Sequence, residues 1–267
     1  MSKLPRADKE LGQHFLRDKH VIEKITQDFK DECDIIVEVG PGPAVLTEFL
    51  AKHEKPLYII EKDTRFIDYL DKYVLKENQF IQDALKFNWK EFIATNELEN
   101  KKIWLVSNLP YNVGTVLFTQ FLTIAQIQFM SLMFQKEVGE KTYFRKVKNE
   151  MNGLLFLSQN YFTSKQLINV APGAFSPPPK VDSVVVSYTR KNLPALETSE
   201  FPLINKFTRL LFSQKRKQIG SVLKSSYDKE VLLKAFEKVG ILTTFRAEVL
   251  TCEQITSLYR ILSSDKN

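Results

Sequence analysis

Between Ile35 and Gln135, short apolar runs alternate with stretches whose apolar residues recur at helical spacing, and this alternation constrains the fold more than any other feature of the chain. The runs are IIVEV (35–39), LYIIE (57–61), the start of FIQDAL (80–85), IWLV (103–106) and IQFMSLMF (127–134). The stretches between them, such as LTEFLAKH (46–53) and TRFIDYLDKYVL (64–75), carry the 3.6-residue period of an amphipathic helix. Strands that are apolar along their whole length are buried on both faces. Strand–helix alternation of this kind gives a parallel sheet covered by helices. VDSVVVSYTR (181–190) is a late strand, and PGAFSPPPK (172–180) is expected to run extended because consecutive prolines exclude helix. KNLPALETSEFP (191–202) reads as a linker. Beyond it the pattern is helical over 203–227, 228–240 and 251–264, with Asp228 and Thr251 as N-caps and Gly240 as a stop. The expected organisation is an α/β domain over 1–190, a linker over 191–202 and a small all-helical domain over 203–267.

A chain of 267 residues can bury one good-sized core and a smaller second one. No apolar run approaches the roughly 18–20 residues of a membrane helix, and the N-terminus MSKLPRADKE has no apolar signal core. Cys33 and Cys252 match no metal spacing and read as reduced thiols of a cytoplasmic protein. His14, His20 and His53 form no HxxxH or HExxH pattern, so no metal is expected. The net charge of +6 is uneven: residues 191–267 hold 13 Lys and Arg against 8 Asp and Glu. That asymmetry points to a polyanionic partner, with a merely solvated helical surface as the alternative.

VEVGPGPAVLT (37–47) follows the first run, and Gly40 and Gly42 let the backbone turn sharply against a ligand. Glu61 ends the next run, about 20 residues on, where a carboxylate accepts from ribose hydroxyls. The loop lacks the Lys-Ser/Thr of a phosphate-binding loop, and Pro41 and Pro43 remove N–H donors that a pyrophosphate would use. A nucleoside without phosphates fits better, and S-adenosylmethionine (SAM) is such a ligand. Asp83 stands where a carboxylate would accept from the adenine amine, or else caps the following helical turn.

NLPYNVGT (108–115) ends the fourth run, on the same carboxyl edge. An exocyclic adenine amine is a poor nucleophile because its lone pair is delocalised into the ring. Acceptors for its two N–H groups, the Asn108 side-chain oxygen and the Leu109 carbonyl, would favour a pyramidal nitrogen. Pro110 would fix the turn, and Tyr111 would stack on the base for roughly 1–3 kcal/mol. No general base is needed before transfer, so the protein's work is positioning and exclusion of water. The target base must be flipped out or already unpaired. The alternative is an Asn-Pro turn with a packed tyrosine.

With these residues assembled, the chain resembles the KsgA-type family of ribosomal RNA adenine N6-dimethyltransferases from about Leu11 to Leu262. LGQHFL (11–16), VEVGPGPAVLT, NLPYNVGT, FQKEV (134–138), PGAFSPPPKVDS (172–183) and FSQKRKQIGSVL (212–223) resemble the family's blocks in order. The resemblance implies a Rossmann-like class I SAM-dependent methyltransferase: a seven-stranded, mostly parallel sheet with one antiparallel strand, followed by a small helical domain that docks on RNA. It implies that His14 and Leu16 border SAM, with Gly40 at its amino-acid end, Glu61 at the ribose and Asp83 at the adenine. Asn108 would lie between cofactor and target amine, with Leu109, Pro110 and Tyr111 completing the motif. Phe175 would supply a second aromatic face for the target base, or plug the core. The implied substrate is a pair of adjacent adenines in the 3′-terminal hairpin of 16S rRNA within the small subunit, each receiving two methyl groups. A monomer is expected, acting in the cytoplasm without a membrane. The chain departs from the family at Ala44 in the glycine loop, at Gly114 where serine is usual, and at the apolar LLFLS (154–158).

QKRK (214–217) lies in a helical pattern that would set its charges on the outer face, and KTYFRKVK (141–148) interleaves aromatics with cations. Either would hold phosphates, which position RNA without specifying sequence. Three rivals share these features: a large-subunit rRNA methyltransferase of the antibiotic-resistance type, a DNA adenine methyltransferase, and a non-catalytic ribosome assembly factor.

Overall fold

The computed structural model describes residues 13–264. The stretch MSKLPRADKE, Leu11 and Gly12 of LGQHFL, and residues 265–267 lie outside the described residues. The strands are β1 Phe15–Leu16, β2 Ile35–Val39, β3 Leu57–Glu61, β4 Gln79–Ile81, β5 Ile103–Asn108, β6 Ile127–Gln135, β7 Phe162–Val170, β8 Phe175–Ser176 and β9 Ser183–Arg190. Seven of them form one sheet in the order β4-β3-β2-β5-β6-β9-β7, and β1 pairs with β8 in a separate ribbon.

β2, β3, β4, β5 and β6 pair in parallel with their neighbours, while β9 runs antiparallel to β6 from Gln135↔Ser183 to Phe129↔Thr189. Every residue of β2 is buried, as are the first five of β5, because helical segments cover both faces. The chain runs outward from β2 to β3 and β4, then returns to β5 on the other side of β2. Such a reversal opens a crevice at the carboxyl ends of the strands. The sheet is the Rossmann-like class I arrangement that the resemblance implies.

The described chain divides into two compact units, 13–140 with 164–190 and 141–163 with 191–264. This corrects the division read from sequence in two ways. First, residues 141–163, including KTYFRKVK, group with the helical tail. The helix Gly153–Tyr161 explains the apolar LLFLS, since Leu155, Phe156, Leu157 and Ser158 are buried. Second, 191–202 is packed rather than a free linker: Leu196 is buried, its carbonyl accepts from Asn160 Nδ2 at 3.2 Å, and Tyr161 Oη donates to the Glu197 carbonyl at 3.3 Å.

The tail helices are Phe201–Leu211, Ile219–Leu223, Lys229–Val239 and Cys252–Ser264. Thr251 caps the last one, its Oγ1 accepting from Gln254 N at 3.2 Å, and Gly240 ends the one before it at φ +72°. Asp228 occupies the N-cap position without a side-chain hydrogen bond. The single helix expected over 203–227 is broken at 212–218, so QKRK lies in an exposed turn and not on a helix. PGAFSPPPK is extended only in part, because Pro172–Ala174 forms a 3-10 turn before β8.

Candidate active site

The carboxyl ends of β2, β3, β4 and β5 open into one cavity of about 210 Å³. Beyond Val39 the chain turns through Gly40 at φ +69° and Gly42 at φ +55°, a backbone that glycine adopts without steric cost. Ala44 follows at φ +63°, where a side chain costs about 1–2 kcal/mol. The turn is held from β3: Gly40 N donates to the Ile60 carbonyl at 2.9 Å, and Gly42 N to Glu61 Oε2 at 2.9 Å. The other Glu61 oxygen accepts from Asp63 N at 2.7 Å. Burial still pushes the Glu61 carboxyl above its ordinary value, against these hydrogen bonds.

Asp83, past the end of β4, takes the capping role foreseen for it and stands at the cavity. Its Oδ1 accepts from Leu85 N at 3.0 Å, capping the turn Ala84–Lys86, and it also lines the cavity. Its Oδ2 accepts from Lys62 Nζ at 2.9 Å, and this ammonium, more than the Leu85 hydrogen bond, keeps the carboxyl ionised.

Glu38, one residue before the end of β2, was not singled out in the sequence. It lines the cavity at 2 % exposure and accepts from Thr47 Oγ1 at 2.7 Å. Burial pushes its carboxyl up to about 8, with Glu61 adding in the same direction. The signal was a lone carboxylate inside the otherwise unbroken apolar run IIVEV, a costly placement for a strand that only packs.

Asn108 ends β5, and its Nδ2 donates to the His14 carbonyl at 3.1 Å. A carbonyl only accepts, so this bond fixes which way the amide points and leaves the side-chain oxygen as the other end. Leu109 is buried and its N–H donates to the Met133 carbonyl at 3.2 Å. The Pro110 carbonyl accepts from Gly114 N at 2.9 Å, which turns the chain into the helix Gly114–Phe121. A Cβ at Gly114 would stand 3.4 Å from Leu109 Cβ, an ordinary contact, so that departure leaves the motif intact. Tyr111 is half-buried, its hydroxyl 2.8 Å from Ser183 Oγ and its ring stacked on His14 at 5.5 Å. The His14 ring is held by Nδ1 donating to the Pro177 carbonyl at 2.9 Å.

The structure thus brings His14, Leu16, Gly40, Gly42, Glu61, Asp83, Asn108, Leu109, Pro110 and Tyr111 to one cavity. It does not bring Phe175 there. That side chain is 1 % exposed, paired across the β1–β8 ribbon with Leu16 and packed into the core, which is the plug reading. Among the described residues, no group of three or more His, Cys, Asp or Glu is gathered for a metal, and no helix is long and apolar enough to cross a membrane.

The profile of the ribosomal RNA adenine dimethylase family matches residues 5–264. The ribosomal RNA small subunit methyltransferase A of Clostridium botulinum (strain Okra / Type B1) is 36% identical over 258 residues, covering 94% of this chain and 92% of the relative. The protein of the same name from Sulfurihydrogenibium sp. is 36% identical over 264 residues, 96% of each. Among solved structures, a dimethyladenosine transferase from Plasmodium falciparum superposes with a TM-score of 0.69 at 22% identity, covering 92% of this chain and 96% of that one. The 23S rRNA methyltransferase ErmE superposes with a TM-score of 0.68 at 21% identity, covering 93% and 99%. These two likenesses speak to the fold.

Proposed function

Because the chain belongs to the ribosomal RNA adenine dimethylase family, we propose that it transfers methyl groups from SAM to the N6 amines of two adjacent adenines in the 3′-terminal hairpin of 16S rRNA. It acts as a cytoplasmic monomer on the small ribosomal subunit, in a step linked to subunit assembly. The observation that carries this reading is the Asn108 amide. It stands at the end of β5 with its nitrogen engaged by the His14 carbonyl, on the same cavity as the carboxylates of Glu61 and Asp83.

The donor set fits SAM. Gly40 and Gly42 offer close backbone approach, Glu61 offers acceptors to ribose hydroxyls, and Asp83 is held ionised to accept from an adenine amine. Glu38 lines the same cavity, and a cationic amino group bound there would favour its ionised form. When bound, SAM supplies a methyl group on a positively charged sulfur. The chain's own work is orientation. The Asn108 side-chain oxygen and the Leu109 carbonyl accept from the target amine, Pro110 fixes the corner between them, and the Tyr111 ring stacks on the base. The amine loses its proton only after transfer, so no side chain has to act as a base beforehand.

The test is methyl transfer from labelled SAM to undermethylated small subunits, with large subunits and duplex DNA in parallel and mapping of the modified base. Dimethyladenine in the 3′-terminal hairpin is expected. Label confined to large subunits or DNA would overturn the substrate, and a protein that binds small subunits without transferring label would be an assembly factor. Asn108→Ala should lower transfer by roughly 100-fold or more and leave small-subunit binding close to wild type. Transfer at the normal rate would remove Asn108 from the mechanism.

A further inference from the structure

Residues 13–16 form one wall of the cavity, and two consecutive residues tie that wall to opposite sides of it. Gln13 Nε2 donates to Asp63 Oδ2 at 2.8 Å. The Arg65 guanidinium grips the same carboxylate, with Nε 2.8 Å from Oδ1 and Nη2 2.5 Å from Oδ2, and Nη2 lies 3.4 Å from Gln13 Oε1. Asp63 in turn gives its backbone N–H to Glu61 Oε1. One residue after Gln13, the His14 carbonyl accepts from Asn108. Gln13 and His14 therefore connect the carboxylate at the end of β3 to the amide at the end of β5.

We propose that Gln13, Asp63 and Arg65 form a latch of positioning residues that holds this wall and, through the His14 carbonyl, sets the orientation of the Asn108 amide. The latch rests on the reading of the cavity as a SAM site.

The physical need for a latch is clear from the amide itself. The terminal torsion of asparagine is broad, and a half-turn exchanges an acceptor for a donor. A target amine requires the acceptor. β1 is only two residues long, so the ribbon alone is a weak hold on His14. It is reinforced on the β8 side by Arg17 N donating to the Ala174 carbonyl at 2.8 Å, and on the other side by Gln13. The Gln13 bond is of the stronger, charge-assisted kind, because its acceptor is an ionised carboxylate. Arg65 foremost, with Gln13 adding, holds the Asp63 carboxyl down at about 2 against the effect of burial. Asp63 is therefore ionised, and an acceptor for Gln13, near neutral pH.

The experiment compares full-length wild type, Gln13→Ala and Gln13→Met. It measures SAM affinity, thermal midpoint and single-turnover methyl transfer to undermethylated small subunits at saturating SAM. Gln13→Met keeps the length and bulk of the side chain and removes only the donor. Both variants should lose rate by roughly 10- to 100-fold, the penalty of a misplaced reacting group, with a thermal midpoint close to wild type. A purely structural contact would lower the midpoint and spare the rate of the folded protein, which would overturn the latch. A Met variant with wild-type rate would overturn it as well, since packing alone would then suffice. Wild type that transfers methyl groups beside unimpaired variants refutes the latch alone. Wild type that fails to bind SAM refutes the reading of the cavity, and the latch falls with it.

Discussion

At the scale of single residues, the cavity concentrates carboxylates that burial has disturbed. Glu38 is the extreme case, pushed from an ordinary 4.5 up to about 8. In the unfolded chain it titrates near 4.5, so between these values the folded protein holds a proton that the unfolded chain has lost. Its contribution to stability therefore falls as pH rises from about 4.5 to about 8. Glu38→Gln keeps an acceptor for Thr47 and removes the titration. Thermal midpoints of the cofactor-free proteins across this range should show the variant declining less with pH than wild type, and parallel curves would refute the assignment. Much of the site was legible in the sequence because Gly40, Glu61, Asp83 and Asn108 each follow or end an apolar run, and parallel strands bring such ends to one edge. Glu38 was overlooked because it lies inside a run rather than at its end. Gln13, Asp63 and Arg65 were overlooked because their meaning is a hydrogen-bonded meeting of segments far apart in sequence. Phe175 was set at the site by resemblance, and only its burial against Leu16 shows its structural place.

At the scale of elements, the strands with continuous apolar runs were readable almost to the residue, and β7 was not. Its burial is irregular, with exposed Thr163, Lys165 and Gln166 between buried ends, so neither an alternating nor a continuous pattern marks it. It lies at the end of the sheet order, where one side needs no partner strand. The helix over 203–227 was overextended because its apolar spacing survives across QKRK while the backbone turns there. Elsewhere spacing is dictated by close approach. A Cβ built at Gly139, in the short helix Lys136–Gly139, would stand 2.3 Å from Val184 Cγ1 of β9 and 3.3 Å from Phe134 Cβ of β6. Gly139→Ala should cost about 1–3 kcal/mol, read as a lower urea midpoint with an unchanged slope. An unaltered midpoint would mean that the helix shifts freely.

At the scale of the whole molecule, the basic excess belongs to the unit made of 141–163 and 191–264, which holds both KTYFRKVK and QKRK. Lys215, Arg216 and Lys217 are exposed in their turn. If they meet phosphates, replacing all three by alanine should weaken small-subunit binding and flatten its dependence on salt, by about 2–3 in the slope of log affinity against log salt. An unchanged slope would place the RNA elsewhere.

The same unit is discontinuous in the chain: residues 141–163 leave the first unit, 164–190 return to it with β9, and the chain departs again at 191. A ribosome making this protein therefore delivers part of the second unit before the first has received its antiparallel strand. In the order of synthesis the first unit is complete at residue 190, and the second only once 191–264 have followed. For the same reason the helical part is no cassette. Exchanging it between relatives means grafting two separate inserts with three junctions, and a chimera built with one junction at residue 190 would carry a second unit of mixed parentage.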